Sequence, residues 1–209
     1  MEVEVKLQIP DFINFSRLKQ LISPSHVETR HQRDFFFDSS DSALSSRRAV
    51  LRLRKISRIS AIAGVGSYFL TLKGNAMLVN GVSRVEEDEE EIDPADGEAC
   101  ISDVSVIESI RSRVIKRCQE EFGVKGGSRF VCLGGFESVR DVYNWRDGLK
   151  LEVDEVKFAF GTRYEVECET ADPESVKGNL EDFFRDNGIE FRDSEMSKFA
   201  IFKSGKMPT

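Results

Sequence analysis

The chain has 209 residues, of which 40% are hydrophobic and 32% charged, with a formal net charge of −7. That length and apolar content support a single globular domain over residues 1–209 with a real core, and exclude wholesale disorder. The acidic balance argues against a nucleic-acid coat or a polybasic membrane binder, yet 30 Lys and Arg leave room for a basic cavity inside an acidic shell.

The first strand alternates strictly, with Glu2, Glu4 and Lys6 on one face and Val3, Val5 and Leu7 on the other. Glu and Lys are poor strand formers, and here they fill a whole face. After Pro10-Asp11, Phe12, Phe15, Leu18 and Ile22 recur at helical spacing until Pro24 forbids continuation. His26 and His31 are expected in a loop before a strand at 33–38, whose Phe35-Phe36-Phe37 run reads as core. A second charged strand at 47–55 sets Arg52 and Arg54 against Leu51 and Leu53, with Arg47 and Arg48 expected at the surface. Residues 56–67 read as a loop before the strand 68–73, where Thr71 and Lys73 share a face opposite Leu70 and Leu72 and which Gly74-Asn75 is expected to end.

Residues 83–92 read as a strand, although the acidic run 86–91 puts charge on both faces and by itself resembles a solvated patch. At 102–122, Val104, Ile107, Ile110, Val114, Cys118 and Phe122 follow three-and-four spacing, which predicts one helix with Gly123 past its end. Strands at 130–133 and 137–145 are expected to flank a Gly134-Gly135 turn. Asp147-Gly148 then turns into a strand at 149–158, and Gly161 into one at 163–170. Asp172-Pro173-Glu174 is a helix start, with Val176, Leu180, Phe183 and Phe184 on one face before Asn187-Gly188. A last short helix carries Met196, Lys198, Phe199 and Phe202.

Charged alternation recurs as Arg52/Arg54, Arg84/Glu86/Asp88/Glu90, Lys150/Glu152/Asp154 and Arg163/Glu165/Glu167/Glu169. Either an open sheet with one wet charged face or a closed barrel with charges inside and helices outside would accommodate it. Enclosed charge requires opposite charge, water or bound ions as partners. Lys and Arg suit phosphate oxygens, and carboxylates suit Mg2+ or Mn2+, so a polyphosphate with a divalent metal meets both needs. Cys100, Cys118, Cys132 and Cys168 lack CxxC spacing and are expected to be reduced thiols. No run approaches the roughly 18 apolar residues of a membrane helix, and the first strand leaves no room for a leader. The expectation is a cytoplasmic monomer with a small-molecule partner and neither nucleic acid nor membrane.

The chain resembles the CYTH superfamily, the triphosphate tunnel metalloenzymes, which includes thiamine triphosphatase, class IV adenylyl cyclase, fungal RNA triphosphatase and inorganic triphosphatases. The resemblance rests on Glu2-Val3-Glu4-Val5-Lys6, Leu51-Arg52-Leu53-Arg54, Leu70-Thr71-Leu72-Lys73, Arg84-Val85-Glu86, Lys150-Leu151-Glu152-Val153-Asp154, Glu165-Val166-Glu167-Cys168-Glu169 and a late Lys198. The wording is nearest to the short plant members that act as inorganic triphosphatases. It implies an α+β fold, an eight-stranded antiparallel β-barrel (the triphosphate tunnel) with helices packed outside. It also implies that Lys6, Arg52, Arg54, Lys73, Arg84, Arg140, Lys150 and Lys198 surround the phosphates. Glu2, Glu4, Glu167 and Glu169 would surround Mg2+ or Mn2+, and Glu90, Glu152, Asp154 and Glu165 are further acids on the charged strands. Glu2, Glu4, Arg52, Arg54, Lys73, Glu167 and Glu169 are expected to face one cavity. The function implied is metal-dependent removal of the terminal phosphate of tripolyphosphate, with Glu2 and Glu4 orienting the attacking water and Lys198 acting from the last helix. Thiamine or nucleoside triphosphate hydrolysis, cyclisation of a nucleotide, and polyphosphate binding without catalysis are the alternatives. A cyclase needs a base-recognition pocket, and a pure binder needs no water-orienting acid.

Overall fold

The computed structural model describes residues 1–58, 66–124 and 129–208. In β1 (Glu2–Ile9) the apolar positions Val5, Leu7 and Ile9 are fully buried, as period two demands. Asp11 caps α1 (Phe12–Ile22) by accepting the Asn14 amide at 2.8 Å, and Phe15, Leu18 and Ile22 form its buried stripe. There follow β2 (His26–Ser39), β3 (Val50–Arg58), β4 (Ser67–Val79), β5 (Val82–Ile92), α2 (Pro94–Ser102), a 3-10 stretch (Val104–Ser109), α3 (Arg113–Glu121) and β6 (Phe130–Asn144). The chain continues through β7 (Lys150–Phe158), β8 (Gly161–Glu169), α4 (Pro173–Asp186), the short β9 (Arg192–Asp193) and α5 (Lys198–Ser204). Strands pair in the order β5-β4-β3-β2-β6-β7-β8-β1, and β5 also pairs with β1. The sheet therefore closes into an eight-stranded antiparallel β-barrel, with β9 added beside β1.

The chain packs as two compact units, Met1–His31 with Met77–Arg84 and Glu137–Thr209, and Gln32–Ala76 with Val85–Phe136. In the first, Val5, Leu7 and Ile9 of β1, Val153 of β7 and Val166 of β8 pack with Leu18 of α1 and Leu180 and Phe184 of α4. The helices thus cover the apolar side of these strands, and alternation sends the charged residues to the other side. Register aligns Lys6 with Glu167, Glu4 with Glu169, Asp154 with Glu165 and Arg140 with Asp154. In the second unit, Leu51 and Leu53 of β3 and Leu70 and Leu72 of β4 pack with Ile107, Val114, Ile115 and Cys118. Arg52 and Arg54 alternate with those leucines.

Four local expectations need correcting. β2 begins at His26, so His26 and His31 are strand residues rather than loop residues. His26 sets its ring edge against Tyr143, with centroids 5.3 Å apart. Gly74-Asn75 does not end β4, which runs on with Asn75 at φ 51°. The hairpin turns at Asn80-Gly81, whose φ values of 49° and 71° are what a two-residue loop demands. Gly134-Gly135 lies inside β6 rather than at a turn, because Gly135 lets that strand approach β2 so closely that a Cβ would overlap the Asp34 carbonyl oxygen. The helix expected over 102–122 is interrupted: Asp103 caps the 3-10 stretch, and Ser112 opens α3 by accepting the Ile115 amide at 3.1 Å. Local capping there outcompetes a continuous helix. The expected 56–67 loop falls largely on residues 59–65, outside the described residues.

Candidate functional site

In the first unit the polar side of β1, β6, β7 and β8 carries one buried network of acids and bases. The Lys6 ammonium binds Glu4 at 2.9 Å and Glu167 more closely. Arg140 forks onto Asp154, with Nε to Oδ1 at 2.8 Å and Nη2 to Oδ2 at 2.6 Å, and also reaches Glu167 at 2.6 Å and Glu152. Lys198, the first residue of α5, binds Asp154, lies 2.8 Å from Glu167 and 3.5 Å from Glu165. Ser197 caps that helix at the Ala200 amide, so the chain enters it immediately before the lysine. Arg163 extends the network by donating to Gln8 at 2.8 Å, Glu165 at 3.1 Å and Ser194 at 3.0 Å.

Burial lowers the pKa of the Lys6 ammonium, but Glu167, Glu4 and Glu165 more than offset it and hold it well above its ordinary value. Arg140 is likewise lowered by burial and raised further by Asp154, Glu152 and Glu167. For Lys198, burial is outweighed by Asp154 and Glu167, and the net shift is upward. Glu167 shows the converse. Burial alone would raise its pKa, yet Lys198, Lys6 and Arg140 take it well below the usual carboxylate range. Asp154 is lowered too, by Arg140 and Lys198 against burial. Lys6, Arg140 and Lys198 are therefore held in their cationic form, and Glu167 and Asp154 as carboxylates, at neutral pH.

In the second unit Arg54 forks onto the buried Asp34, with bonds of 2.6 and 2.7 Å. Arg52 donates to Thr71 at 3.1 Å and Glu89 at 3.2 Å, Thr71 donates to Glu89 at 2.8 Å, and Lys73 pairs with Glu87 at 2.5 Å. Burial lowers the Arg52 pKa and Arg54 lowers it further, in excess of what Asp34, Glu87 and Glu89 restore. Its Nε is buried and has no hydrogen-bond partner among the described residues.

The acidic run is therefore only in part a solvated patch: Glu86, Glu89 and Glu91 are exposed, but four of its acids hold basic partners. Glu87 and Glu89 meet Lys73 and Arg52, while Asp88 and Glu90 pair with Arg113 at 3.0 and 3.3 Å, and Asp88 also with Arg117 at 2.9 Å. Glu90 thus turns to α3 and not to Arg52. Arg84 is half-exposed and pairs with Glu174 of α4 at 3.1 Å, and Lys150 is exposed at the start of β7, where it donates to Asn144. Glu2 is half-buried and Glu169 exposed, at the end of the β1–β8 ladder where Glu4 aligns with Glu169. Arg47 and Arg48 are exposed. Sequence reasoning missed Asp34, Glu87, Glu89, Gln8 and Ser194. The period-two burial of Gln32 and Asp34 between exposed His31 and Arg33 was present, but all four are polar and hydropathy cannot separate them.

The donor set on β1 and β8, Glu2, Glu4, Glu167 and Glu169, is entirely hard carboxylate oxygen, which fits Mg2+ or Mn2+ in chemistry. Among the described residues no three acid, histidine or cysteine side chains converge on one point. Glu167 faces its bases.

A closed eight-stranded antiparallel barrel that begins on Glu-x-Glu-x-Lys and buries acid–base networks on its strands is a CYTH-type barrel, and the CYTH domain model matches residues 1–199. The chain belongs to the CYTH family. It is similar to the Hippeastrum protein HpAC1, named for adenylyl cyclase and described as having a dominant triphosphatase activity, at 44% identity and a TM-score of 0.92, covering 100% of this chain and 98% of that one. A candidate adenylate cyclase from Bacillus halodurans (16% identity, TM-score 0.71, 97% of each chain) and a Pyrococcus horikoshii protein (19%, TM-score 0.62, 98% of this chain and 99% of that one) share the fold. Comparison with curated proteins gave no match.

Proposed function

We propose that this protein is a divalent-metal-dependent triphosphatase that cleaves inorganic tripolyphosphate to pyrophosphate and phosphate. The observation that carries the reading is the convergence of Lys6, Arg140 and Lys198 on the single buried carboxylate of Glu167. Cations parked on acids in this way are poised to change partners. A polyphosphate offers them stronger acceptors, and the released carboxylates then face the cation that accompanies it. The triphosphatase activity described for HpAC1, 44% identical over the whole chain, supports the same class of reaction.

Mg2+ or Mn2+ held by Glu2, Glu4, Glu167 and Glu169 would neutralise phosphate charge and acidify the attacking water. Lys6, Arg140 and Lys198 bind equatorial oxygens and stabilise charge as the terminal phosphoryl group departs, with Arg52, Arg54 and Lys73 as further phosphate ligands. Phosphoryl transfer asks for positioning and electrostatics more than covalent help, which accords with a network of fixed charges in which the Ser194 hydroxyl is engaged by Arg163 and Glu165. Phosphate release measured on tripolyphosphate, thiamine triphosphate and ATP, each with Mg2+ and with Mn2+, tests the reading. Tripolyphosphate is expected to give the highest kcat/KM. Absence of phosphate release from all three, or formation of cyclic nucleotide and pyrophosphate from ATP alone, would overturn it.

A further inference from the structure

Two segments meet on the backbone of Lys6. Its N–H donates to the Gly81 carbonyl at 2.7 Å, at the tip of the β4–β5 hairpin, and its carbonyl accepts the Ser194 amide at 3.1 Å, on the strap from β9 to α5. On that strap Ser194 turns its hydroxyl onto Glu165 and accepts from Arg163 at 3.0 Å, and Lys198 follows four residues later. Tip and strap are therefore anchored to the residue whose ammonium holds Glu167. Gly81 makes the crossing possible. It sits at φ +71°, and a Cβ there would lie 2.8 Å from Asp193 Oδ1 and 3.0 Å from the Lys6 carbonyl oxygen.

Lys177 of α4 touches both segments at once. Its ammonium donates to the Asn80 carbonyl at 2.7 Å and to Asp193 Oδ2 at 2.8 Å, with Glu181 at 3.5 Å one turn along the helix. β9 aligns two residue pairs with β1, Leu7 with Asp193 and Gln8 with Arg192, and the charge-assisted bridge from Lys177 adds to the Ser194 bonds in holding the strap in register.

We propose that Lys177 is a positioning residue: by clamping Asn80 of the hairpin tip to Asp193 of the strap, it sets the junction over Lys6 and hence the points from which Lys6 and Lys198 reach a bound triphosphate. The proposal rests on the reading that these two lysines bind phosphate. An ångström of slack in such groups weakens their hold on the ligand, so the clamp acts through affinity.

Lys177→Met keeps the apolar stem and removes the donors, whereas Lys177→Arg keeps charge and donors. For Lys177→Met the KM for tripolyphosphate is expected to rise about fivefold or more, with kcat per folded molecule falling by less than that. Hydrogen exchange at the Lys6 and Ser194 amides of the ligand-free protein should quicken. Lys177→Arg should restore both. A merely structural role would lower the active fraction, and so apparent kcat, at unchanged KM, and that result overturns the proposal. If Lys177→Met does not fold, Asp193→Asn breaks the clamp from its other end and must reproduce the KM rise. Should the wild type itself fail to hydrolyse tripolyphosphate, the triphosphatase reading falls. The clamp is then judged by calorimetric affinity for tripolyphosphate, and equal affinity in wild type and Lys177→Met overturns it.

Discussion

Glu4 and Lys198 show how differently two residues can serve one network. Glu4 is 7% exposed and has Lys6 at 2.9 Å, so an uncharged amide of the same shape fills its place without leaving a cavity. Glu4→Gln is expected to cut metal-dependent tripolyphosphate turnover on the order of 100-fold while the fold and most triphosphate affinity persist. Wild-type rates at saturating Mg2+ would refute that role. Lys198 is embedded among Asp154, Glu165 and Glu167, and its loss leaves buried carboxylates under-compensated. Breaking such a buried pair from one side typically costs about 3–5 kcal/mol. Lys198→Ala should therefore lower thermal stability, raise KM and lower kcat together. In the wild type, tripolyphosphate should increase hydrogen-exchange protection across residues 194–203. Unchanged kinetics together with no ligand-dependent protection would return Lys198 to a purely structural part.

Among the elements, two glycines test opposite physical effects. Gly135 lies where β6 meets the Asp34 carbonyl of β2, so Gly135→Ala forces backbone apart and should destabilise by about 3 kcal/mol or more. Gly178 lies exposed inside α4, and an alanine methyl there would have no neighbour within 4 Å. Gly178→Ala should stabilise by roughly 0.5–1 kcal/mol through helix propensity and the unfolded state. Urea denaturation of both variants decides it, and changes of the same sign would contradict the packing described. Helix starts were partly legible. Asp172-Pro173 opens α4 with the Asp172 carboxylate on the Ser175 amide, and Asp93-Pro94 opens α2 in the same way on Ala95. Only the first is followed by an apolar stripe strong enough to read as a helix, since α2 buries just Gly97 and Cys100.

For the whole molecule, the charge network links stability to pH with a sign that can be worked out. Glu167 and Asp154 have depressed carboxyl pKa values, because the effect of burial is outweighed by Lys198, Lys6 and Arg140 at Glu167 and by Arg140 and Lys198 at Asp154. Their contribution is complete above the unfolded values of about 4.3 and 3.9 and is lost as pH falls through the lower folded values. Lys6 and Lys198 are raised, so theirs is complete below about 10.4 and is lost as pH rises through the folded values. The Tm contributed by this network should be level between about pH 5 and pH 9.5 and fall outside that window. A steady decline in Tm from pH 7 to pH 5 would show that other groups dominate. Strand identity and facing were legible in Glu2-Val3-Glu4-Val5-Lys6, Arg52/Arg54 and Glu165/Glu167, because neighbours on a strand alternate faces whatever lies opposite. Partnership was not. Lys6 and Glu167 stand 161 residues apart, and it is the register of β1 on β8 that makes them a pair. In the run 86–91 every residue is acidic, so local pattern carries no information on facing, and only the strands and the helix around it assign Glu87 and Glu89 to Lys73 and Arg52 and send Asp88 and Glu90 to Arg113. Alternation is a property of one strand, whereas pairing depends on how distant strands are aligned, which tertiary packing sets.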